Sequence, residues 1–177
     1  MTALLIWDFD GTLAHRPGLW SGALLDVLNA QQPGHGITRE MLRPGLAQGF
    51  RWHRPDMEHR RHRAAQDWWA ELNPVFVEAY VRAGLSRADA AALAPCVRAA
   101  YLTPSAWQLY PETQAVLPLL QERGWHHVVL SNHVPELGKL LDILGLTPLL
   151  DAVYTSAVLG WEKPHPRAFQ AVLEHLS

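Results

Sequence analysis

Residues 4–13 read LLIWDFDGTL, an apolar run that ends in two carboxylates, Asp8 and Asp10. The run from residue 3 to residue 7 is apolar on both faces, which predicts a short buried strand. Gly11 permits a sharp turn directly after the strand. Ligands bind at the carboxyl ends of strands in open α/β sheets, and buried carboxylates are costly without a partner. The stretch therefore predicts a site for a hard cation such as Mg²⁺, which prefers oxygen ligands.

Length and composition limit the classes of protein to which this chain can belong. It has 177 residues, a formal net charge of −2 and 49% hydrophobic residues, enough for a packed core. The weak net charge gives no indication of a nucleic-acid partner. No apolar run approaches the ~20 residues of a membrane span, and residues 1–7 are too short for a signal peptide. We expect a cytoplasmic protein without membrane or nucleic-acid partners, and Cys96, as the single cysteine, excludes a disulfide within the chain.

The hydrophobic periodicity changes along the chain. Residues 17–103 show the pattern of about four helices and no convincing strand. From residue 104 onward, predicted helices alternate with strands at 127–130 and 152–156. Such alternation favours a parallel sheet with right-handed crossovers. We predict an α/β fold in which the first strand and everything after about residue 106 form one core, interrupted by a helical insertion.

Three motifs, in this order, resemble those of the haloacid dehalogenase superfamily. The first follows the predicted first strand, the second ends a later strand and the third precedes the last helix. They are Asp8-Phe9-Asp10-Gly11-Thr12, Ser131-Asn132, and Lys163-Pro164-His165-Pro166 followed by Phe169. The resemblance covers essentially the whole chain.

The resemblance implies a role for each motif residue. Asp8 would be the nucleophile that takes up a phosphoryl group as an aspartyl phosphate, and Asp10 would be the general acid and base. Lys163 would neutralise charge on the phosphoryl oxygens. Mg²⁺ would be held by Asp8 and by the backbone carbonyl of Asp10. The residues expected to bind the phosphate are Gly11, Thr12, Ser131, Asn132 and Lys163.

The resemblance also implies a division of the chain into a core and a cap. Residues 1–16 and 106–177 would form a Rossmann-like α/β core, and residues 17–105 an all-helical cap domain. In the family, such a cap closes over the site, excludes water and contacts the leaving group. We expect the connections of the cap to lie near residues 14–18 and 103–108.

These roles imply a Mg²⁺-dependent hydrolase acting on a small phosphorylated metabolite. Dehalogenation is disfavoured, because dehalogenases of the family lack the second Asp, which Asp10 supplies here. A sugar phosphomutase uses the same pair of Asp residues and remains an open alternative. A non-catalytic phosphate- or partner-binding protein on the same fold is a second alternative.

The fourth acidic motif of the family, which completes its Mg²⁺ site on a strand beside the first strand, has no counterpart before Ser177. We therefore expect one edge of the first strand to be uncovered, and such an edge invites pairing with another chain. Either the chain is a shortened form of a longer protein, or a second subunit fills the gap and forms a homo-oligomer. In the shortened form, Mg²⁺ binding and phosphatase activity should be weak.

The stretch from residue 51 to residue 63 is the most charged, with five Arg and three His against two acidic residues. It is either an anion-attracting surface of the cap or a solvated helix face or loop. Four other residues lie beside the motifs and could touch substrate or serve in packing. They are His15, Arg16, Trp20 and His133.

Overall fold

A computed structural model describes residues 3–59 and 64–176 as one parallel sheet, a short ribbon and a block of helices. The strands are β1 (Ala3–Trp7), β2 (Ala14–His15), β3 (Gln108–Leu109), β4 (Trp125–Ser131) and β5 (Ala152–Thr155). The helices are α1 (Leu19–Gln31), α2 (Arg39–Leu42), α3 (Ala65–Arg82), α4 (Arg87–Leu93), α5 (Val97–Tyr101), α6 (Pro111–Glu122), α7 (Leu137–Ile143), α8 (Ser156–Leu159) and α9 (Pro166–Leu176). Over these residues, we find no helix with the length and apolar character that crossing a membrane would need.

The parallel sheet has the strand order β1-β4-β5. Successive side chains of a strand point to opposite faces, and β4 shows this clearly. Val128 and Leu130 pack with Leu159 and Val172 on one face, whereas Val129 belongs to the larger apolar core on the other. Helices therefore cover both faces of the sheet, and the predicted α/β fold with a helical insertion is confirmed.

Strand β1 lies at an edge of the sheet, because within the described residues it pairs with β4 alone. Its residues are only partly buried, and Ile6 is 36% exposed. The prediction of a buried strand is therefore wrong, since a continuous apolar run does not distinguish a central strand from an edge strand. The expected uncovered edge is present among the described residues. Its use in an oligomer stays a prediction.

The helices of residues 19–101, here called the helical block, pack mainly on one another. Tyr80 of α3 donates a hydrogen bond to the backbone carbonyl of Leu24 in α1, at 2.9 Å. Aromatic side chains gather around the half-buried Trp20, and we call this group the aromatic cluster. Its members are Trp20, Phe50, Trp52, Trp68, Trp69, Phe76 and Tyr101. No strand occurs in the described part of the block, as the periodicity predicted.

A two-stranded antiparallel ribbon joins the two connections between the helical block and the sheet. Ala14 pairs with Leu109, and His15 pairs with Gln108. The Thr113 hydroxyl adds a hydrogen bond of 2.7 Å to the carbonyl of Leu13. The chain therefore enters and leaves the block at one place. The boundaries proposed for core and cap, at residues 16/17 and 105/106, stay predictions.

The arginine-rich stretch is only partly described, since Arg60, Arg61, His62 and Arg63 lie outside the described residues. Arg51 is buried, and its guanidinium forms an ion pair of 2.6 Å with Glu71 of α3. Arg51 therefore contributes to the interior of the helical block and not to an anion-attracting surface.

Candidate active site

The first and second motifs meet at the carboxyl ends of two neighbouring strands. Asp8 follows β1 directly, and Ser131 is the last residue of β4. Because these strands are parallel and paired, their ends lie side by side. The Ser131 hydroxyl donates a hydrogen bond of 2.8 Å to Asp8 Oδ1, and Lys163 Nζ lies 2.9 Å from the same oxygen. Residues of the second and third motifs thereby contact the Asp8 carboxylate of the first motif.

The two oxygens of Asp8 have different surroundings. Oδ1 accepts hydrogen bonds from the backbone N–H of Phe9, the Ser131 hydroxyl and the Lys163 ammonium, all between 2.8 and 2.9 Å. Oδ2 has no hydrogen-bond partner among the described residues, and the Asp8 side chain is 42% exposed. The contacts to Oδ1 fix the carboxylate and leave Oδ2 available to a ligand.

Asp10 lies beside Asp8 in a more enclosed position. Its side chain is 24% exposed, and its Oδ1 is buried without a hydrogen-bond partner in the described part of the chain. Burial raises the pKa of Asp10 to about 7; the charge of Asp8 raises it as well, and that of Lys163 lowers it. Asp10 can therefore hold a proton near neutral pH, as a general acid must.

His133, two residues after Ser131, is buried next to Asp10. Its Nε2 lies 4.0 Å from Asp10 Oδ2 and 3.3 Å from the hydroxyl of Tyr101. Burial lowers the pKa of His133 to about 4, although the Val134 backbone and the Asp8 charge oppose the shift. His133 is consequently neutral at pH 7. It forms part of the wall behind Asp10 and has no exposed surface for a substrate.

Asn132 holds the loop that carries Lys163. Its Oδ1 accepts the Lys163 backbone N–H at 2.7 Å, and its Nδ2 donates to the Lys163 carbonyl at 2.9 Å. Both ends of the side-chain amide are engaged in this way. The contacts of Asn132 position the lysine, and its predicted contact with phosphate stays a prediction.

Gly11 and Thr12 form the turn that follows Asp10. The Gly11 N–H donates to the carbonyl of Ala14 at 2.8 Å, and the Thr12 N–H donates to that of Phe9 at 3.2 Å. Gly11 has a positive φ of 75°, which glycine adopts without strain. Both residues are exposed. Their amides are used within the turn, so the exposed Thr12 hydroxyl is the group that this turn offers to a phosphate.

The other residues singled out beside the motifs have packing contacts. Arg16 is buried and forms an ion pair of 2.5 Å with Asp26 of α1. His15 stacks on Tyr110 with ring centroids 5.0 Å apart. Trp20 lies in the aromatic cluster. The contact of these residues with substrate stays a prediction.

Two residues of the site had no role in the sequence-based prediction. Glu162 is buried directly before Lys163, and burial raises the pKa of its carboxyl group. Its position directly before the third motif was a signal that could have identified it. Tyr101 contacts His133 although 32 residues separate them. No local pattern marks such a contact.

The strand-end site has oxygen ligands of the kind that Mg²⁺ prefers. Among the described residues, no group of three or more His, Cys, Asp or Glu side chains could hold a metal ion. The Asp8 carboxylate nevertheless has an oxygen, Oδ2, without a partner among the described residues, and the resemblance supplies the backbone carbonyl of Asp10 as a second ligand. Mg²⁺ is commonly bound by one or two carboxylates, with water and substrate phosphate completing its octahedron. The donor set fits that pattern.

Comparison with known families agrees with the fold. The family model for haloacid dehalogenase-like hydrolase matches residues 2–177. The chain therefore belongs to the haloacid dehalogenase-like hydrolase family. The resemblance stated from the three motifs is confirmed.

Individual proteins of the family show how much of their length the chain matches. Human haloacid dehalogenase-like hydrolase domain-containing protein 3 is 30% identical over 178 residues, which cover 96% of this chain and 67% of the human protein. Across the cattle, human and mouse proteins of this name, the matched regions cover between 44% and 68% of their lengths.

Solved structures share the fold. 2-Haloacid dehalogenase from Pseudomonas syringae has a TM-score of 0.61 and 26% identity, covering 99% of this chain and 73% of that one. The HAD-hydrolase YfnB from Bacillus subtilis has a TM-score of 0.71 and 22% identity, covering 98% and 73%. YfnB is described as bound to magnesium and as showing interdomain movement. At that identity, the likeness to YfnB concerns the fold alone.

Proposed function

We propose that this protein hydrolyses phosphoric monoesters of small metabolites through an aspartyl phosphate on Asp8. The observation that carries the proposal is the asymmetry of the Asp8 carboxylate. Three donors hold Oδ1, while Oδ2 is open, and a protonatable Asp10 lies beside it. A fixed nucleophile with a neighbouring acid is the arrangement that phosphoryl transfer to a carboxylate requires.

In the first step, Asp8 Oδ2 attacks the phosphorus of the substrate. A bond forms between Oδ2 and phosphorus as the bond from phosphorus to the ester oxygen breaks. Asp10 gives its proton to that oxygen, so that the leaving group departs as a neutral alcohol. The Lys163 ammonium, 2.9 Å from Asp8 Oδ1, stabilises negative charge on the phosphoryl oxygens.

In the second step, Asp10 is a carboxylate and accepts a proton from a water molecule. The water oxygen attacks phosphorus, the bond to Asp8 Oδ2 breaks and inorganic phosphate is released. Asp8 returns as a carboxylate and Asp10 as an acid, so every proton is accounted for. Dividing one displacement into two in this way lowers the barrier of each.

The Asp8 carboxylate and the backbone carbonyl of Asp10 are the groups that would hold Mg²⁺ in this proposal, which leaves the Asp10 side chain free to transfer the proton. When bound, the cation would supply positive charge for the phosphoryl oxygens and orient the phosphate. Asp8 would therefore both contribute a ligand to the cation and act as the nucleophile. Its free Oδ2 is the nucleophile, and the donors at Oδ1 keep its position fixed.

Asp10 also separates this proposal from dehalogenation. A halide leaves as an anion and needs no proton, whereas the alkoxide of a phosphate ester is a poor leaving group unless it is protonated. An acid with a pKa near 7, adjacent to the nucleophile, is useful for the second reaction only. The helical block would act as the cap that excludes water from the site, with the β2–β3 ribbon at its base.

The test is a phosphate-release assay on a panel of phosphorylated metabolites, with Mg²⁺ and with EDTA. We expect turnover of one or more esters that depends on Mg²⁺ and is lost in Asp8→Asn. Asp142→Asn, which changes an exposed acid on α7, is the matched control and should retain activity. Equal phosphate release by wild type and Asp8→Asn would contradict the proposal.

A further inference from the structure

A polar contact at Glu136, the residue directly before α7, joins the helical block to the sheet side of the chain. Glu136 is buried, and its Oε1 accepts from the Arg98 guanidinium, at 2.9 Å from Nε and 2.6 Å from Nη2. The Trp69 indole Nε1 donates to both carboxylate oxygens at 3.2 Å. Within the described residues, these side-chain donors to Glu136 both belong to the helical block. A buried carboxylate on the sheet side is therefore satisfied from across the junction.

The Arg98–Glu136 ion pair differs in what it joins from a similar pair within the block. Arg82 Nε lies 2.8 Å from Glu78, four residues earlier in α3, so that pair stays within one helix. Arg98 instead reaches from α5 to the start of α7. A hydrogen bond between ionised groups is stronger than a neutral one, and a partly buried pair is screened less than an exposed one. The pair can therefore favour one placement of the block relative to the sheet.

Two further contacts cross the same junction. The Tyr101 hydroxyl lies 3.3 Å from His133 Nε2. The backbone N–H of His59 donates to the carbonyl of Gly160 at 2.8 Å. The first of these is long for a hydrogen bond that involves a hydroxyl, and the second uses backbone groups only. The ion pair at Glu136 is thus the strongest of the three contacts.

We propose that Glu136 is a positioning residue that docks the helical block beside the strand-end site. Its charge attracts Arg98 across the junction, and loss of that charge shifts the equilibrium toward an undocked block. In the docked arrangement, Tyr101 contacts His133, the neighbour of Asp10. Glu136 therefore influences the surroundings of the acid without contacting the reacting atoms.

Hydrogen exchange measures docking without substrate, so its outcome is independent of the proposed hydrolysis. A buried N–H at the junction exchanges when the junction opens, and its rate follows the open population. In the full chain, Glu136→Gln should speed exchange of the Trp69 indole N–H about tenfold by NMR, because a neutral acceptor replaces a charged one. Arg98→Gln should have a similar effect. The Arg98 side chain is 40% exposed, so this second variant changes little of the interior.

Two other N–H groups show whether the block moves as a unit. The backbone N–H of His59 bonds to Gly160, in a different loop from Glu136, and its exchange should speed up by a similar factor. The Trp7 indole N–H donates to His127 at 3.0 Å, between β1 and β4, and its exchange should not change. Faster exchange at both junction groups with an unchanged rate within the sheet is the expected result.

Glu78→Gln is the matched control, because it removes the charge that pairs with Arg82 inside α3. It should leave exchange of the Trp69 indole N–H unchanged. The double variant Glu136→Gln/Arg98→Gln should exchange no faster than either single variant, because both substitutions remove the same ion pair.

Three results would overturn docking by Glu136. Faster exchange at Trp69 without any change at His59 would make Glu136 a local partner of the indole. Faster exchange at Trp7 by the same factor would reflect a general loss of stability. An unchanged rate at Trp69 in both Glu136→Gln and Arg98→Gln would mean that apolar packing alone holds the block in place.

Discussion

The strand-end site and the aromatic cluster are held together by different forces. In the site, a single oxygen of Asp8 collects three polar donors, and the carboxylates stay partly open to solvent. In the aromatic cluster, Trp20 stacks on Tyr101 with centroids 4.1 Å apart and contacts further rings of the helical block. The first arrangement leaves reactive groups accessible. The second removes apolar surface from water and gives the block a rigid interior.

The two regions meet at Tyr101. Its ring belongs to the aromatic cluster, and its hydroxyl lies 3.3 Å from His133, the neighbour of Asp10. Glu136 makes a second connection, accepting from Trp69 Nε1 at 3.2 Å and from Arg98 at 2.6 Å. Packing in the helical block therefore determines the surroundings of Asp10. The motif residues Asp8, Ser131 and Lys163 lie outside the helical block, at the strand ends of the sheet.

The largest expected effect comes from the nucleophile. Asp8→Asn should abolish phosphate release, because an amide is a far weaker nucleophile than a carboxylate. Asp10→Asn should slow turnover by about 10²–10⁴-fold, the usual contribution of general acid–base catalysis. Steady-state phosphate release at pH 7 measures both, with circular dichroism as the control for folding. Near-normal turnover by Asp8→Asn would place the chemistry outside the strand-end site.

The second effect is on stability and depends on pH. The pKa of Asp10 is raised from 3.8 to about 7, so its contribution to stability is present below pH 4 and is lost as pH rises through 7. Asp10→Asn has no such loss and should be more stable than wild type at pH 8, by roughly 4 kcal/mol, with little difference at pH 4. Urea unfolding in EDTA at these two pH values gives the comparison. A difference that does not change with pH would contradict the raised pKa.

The third effect concerns the aromatic cluster. Trp20→Ala removes the ring that the others surround and should cost about 3 kcal/mol of unfolding free energy. Trp52→Ala removes a half-buried ring nearer the edge of the cluster, which stacks on Phe50 at 4.3 Å, and should cost less. Denaturant unfolding measures both. If the two losses were equal, Trp20 would not be the centre of the cluster.

The smallest effect tests the junction between the two regions. Tyr101→Phe keeps the ring on Trp20 and removes the hydroxyl beside His133, so stability should fall by about 1 kcal/mol. Turnover should change more than it does for Tyr80→Phe, which removes a buried hydroxyl within the helical block. Equal effects of both variants on turnover would mean that Tyr101 does not influence the site.

Much of the fold could be predicted from local patterns. The apolar run before Asp8 gave β1 its bounds, and the changes of periodicity placed the helical insertion and the later strands within a few residues. The uncovered edge of β1 was predicted from the missing fourth motif, whereas no local pattern predicted the strand order, because that order depends on pairing between distant segments. The β2–β3 ribbon was not predicted for the same reason, since it pairs two-residue strands on either side of the helical block.

Some features of the site could also be predicted from the sequence, and others could not. Asp8, Ser131 and Lys163 could be predicted because each belongs to a short motif, and the structure brings the three together. The contact of Tyr101 with His133 could not be predicted. It depends on how the helical block lies against the core, and no short pattern encodes that arrangement.

The central claim is a covalent phosphoryl group on Asp8, and chemical trapping tests it most directly. Asp10→Asn, which should accumulate the intermediate, is mixed with a substrate found in the phosphate-release screen and treated with borohydride. An acyl phosphate is reduced under these conditions, and we expect peptide mass spectrometry to find homoserine at position 8. The Asp8→Asn/Asp10→Asn double variant should show none. Unmodified Asp8 in a protein that still releases phosphate, or reduction at another carboxylate, would contradict a covalent intermediate on Asp8.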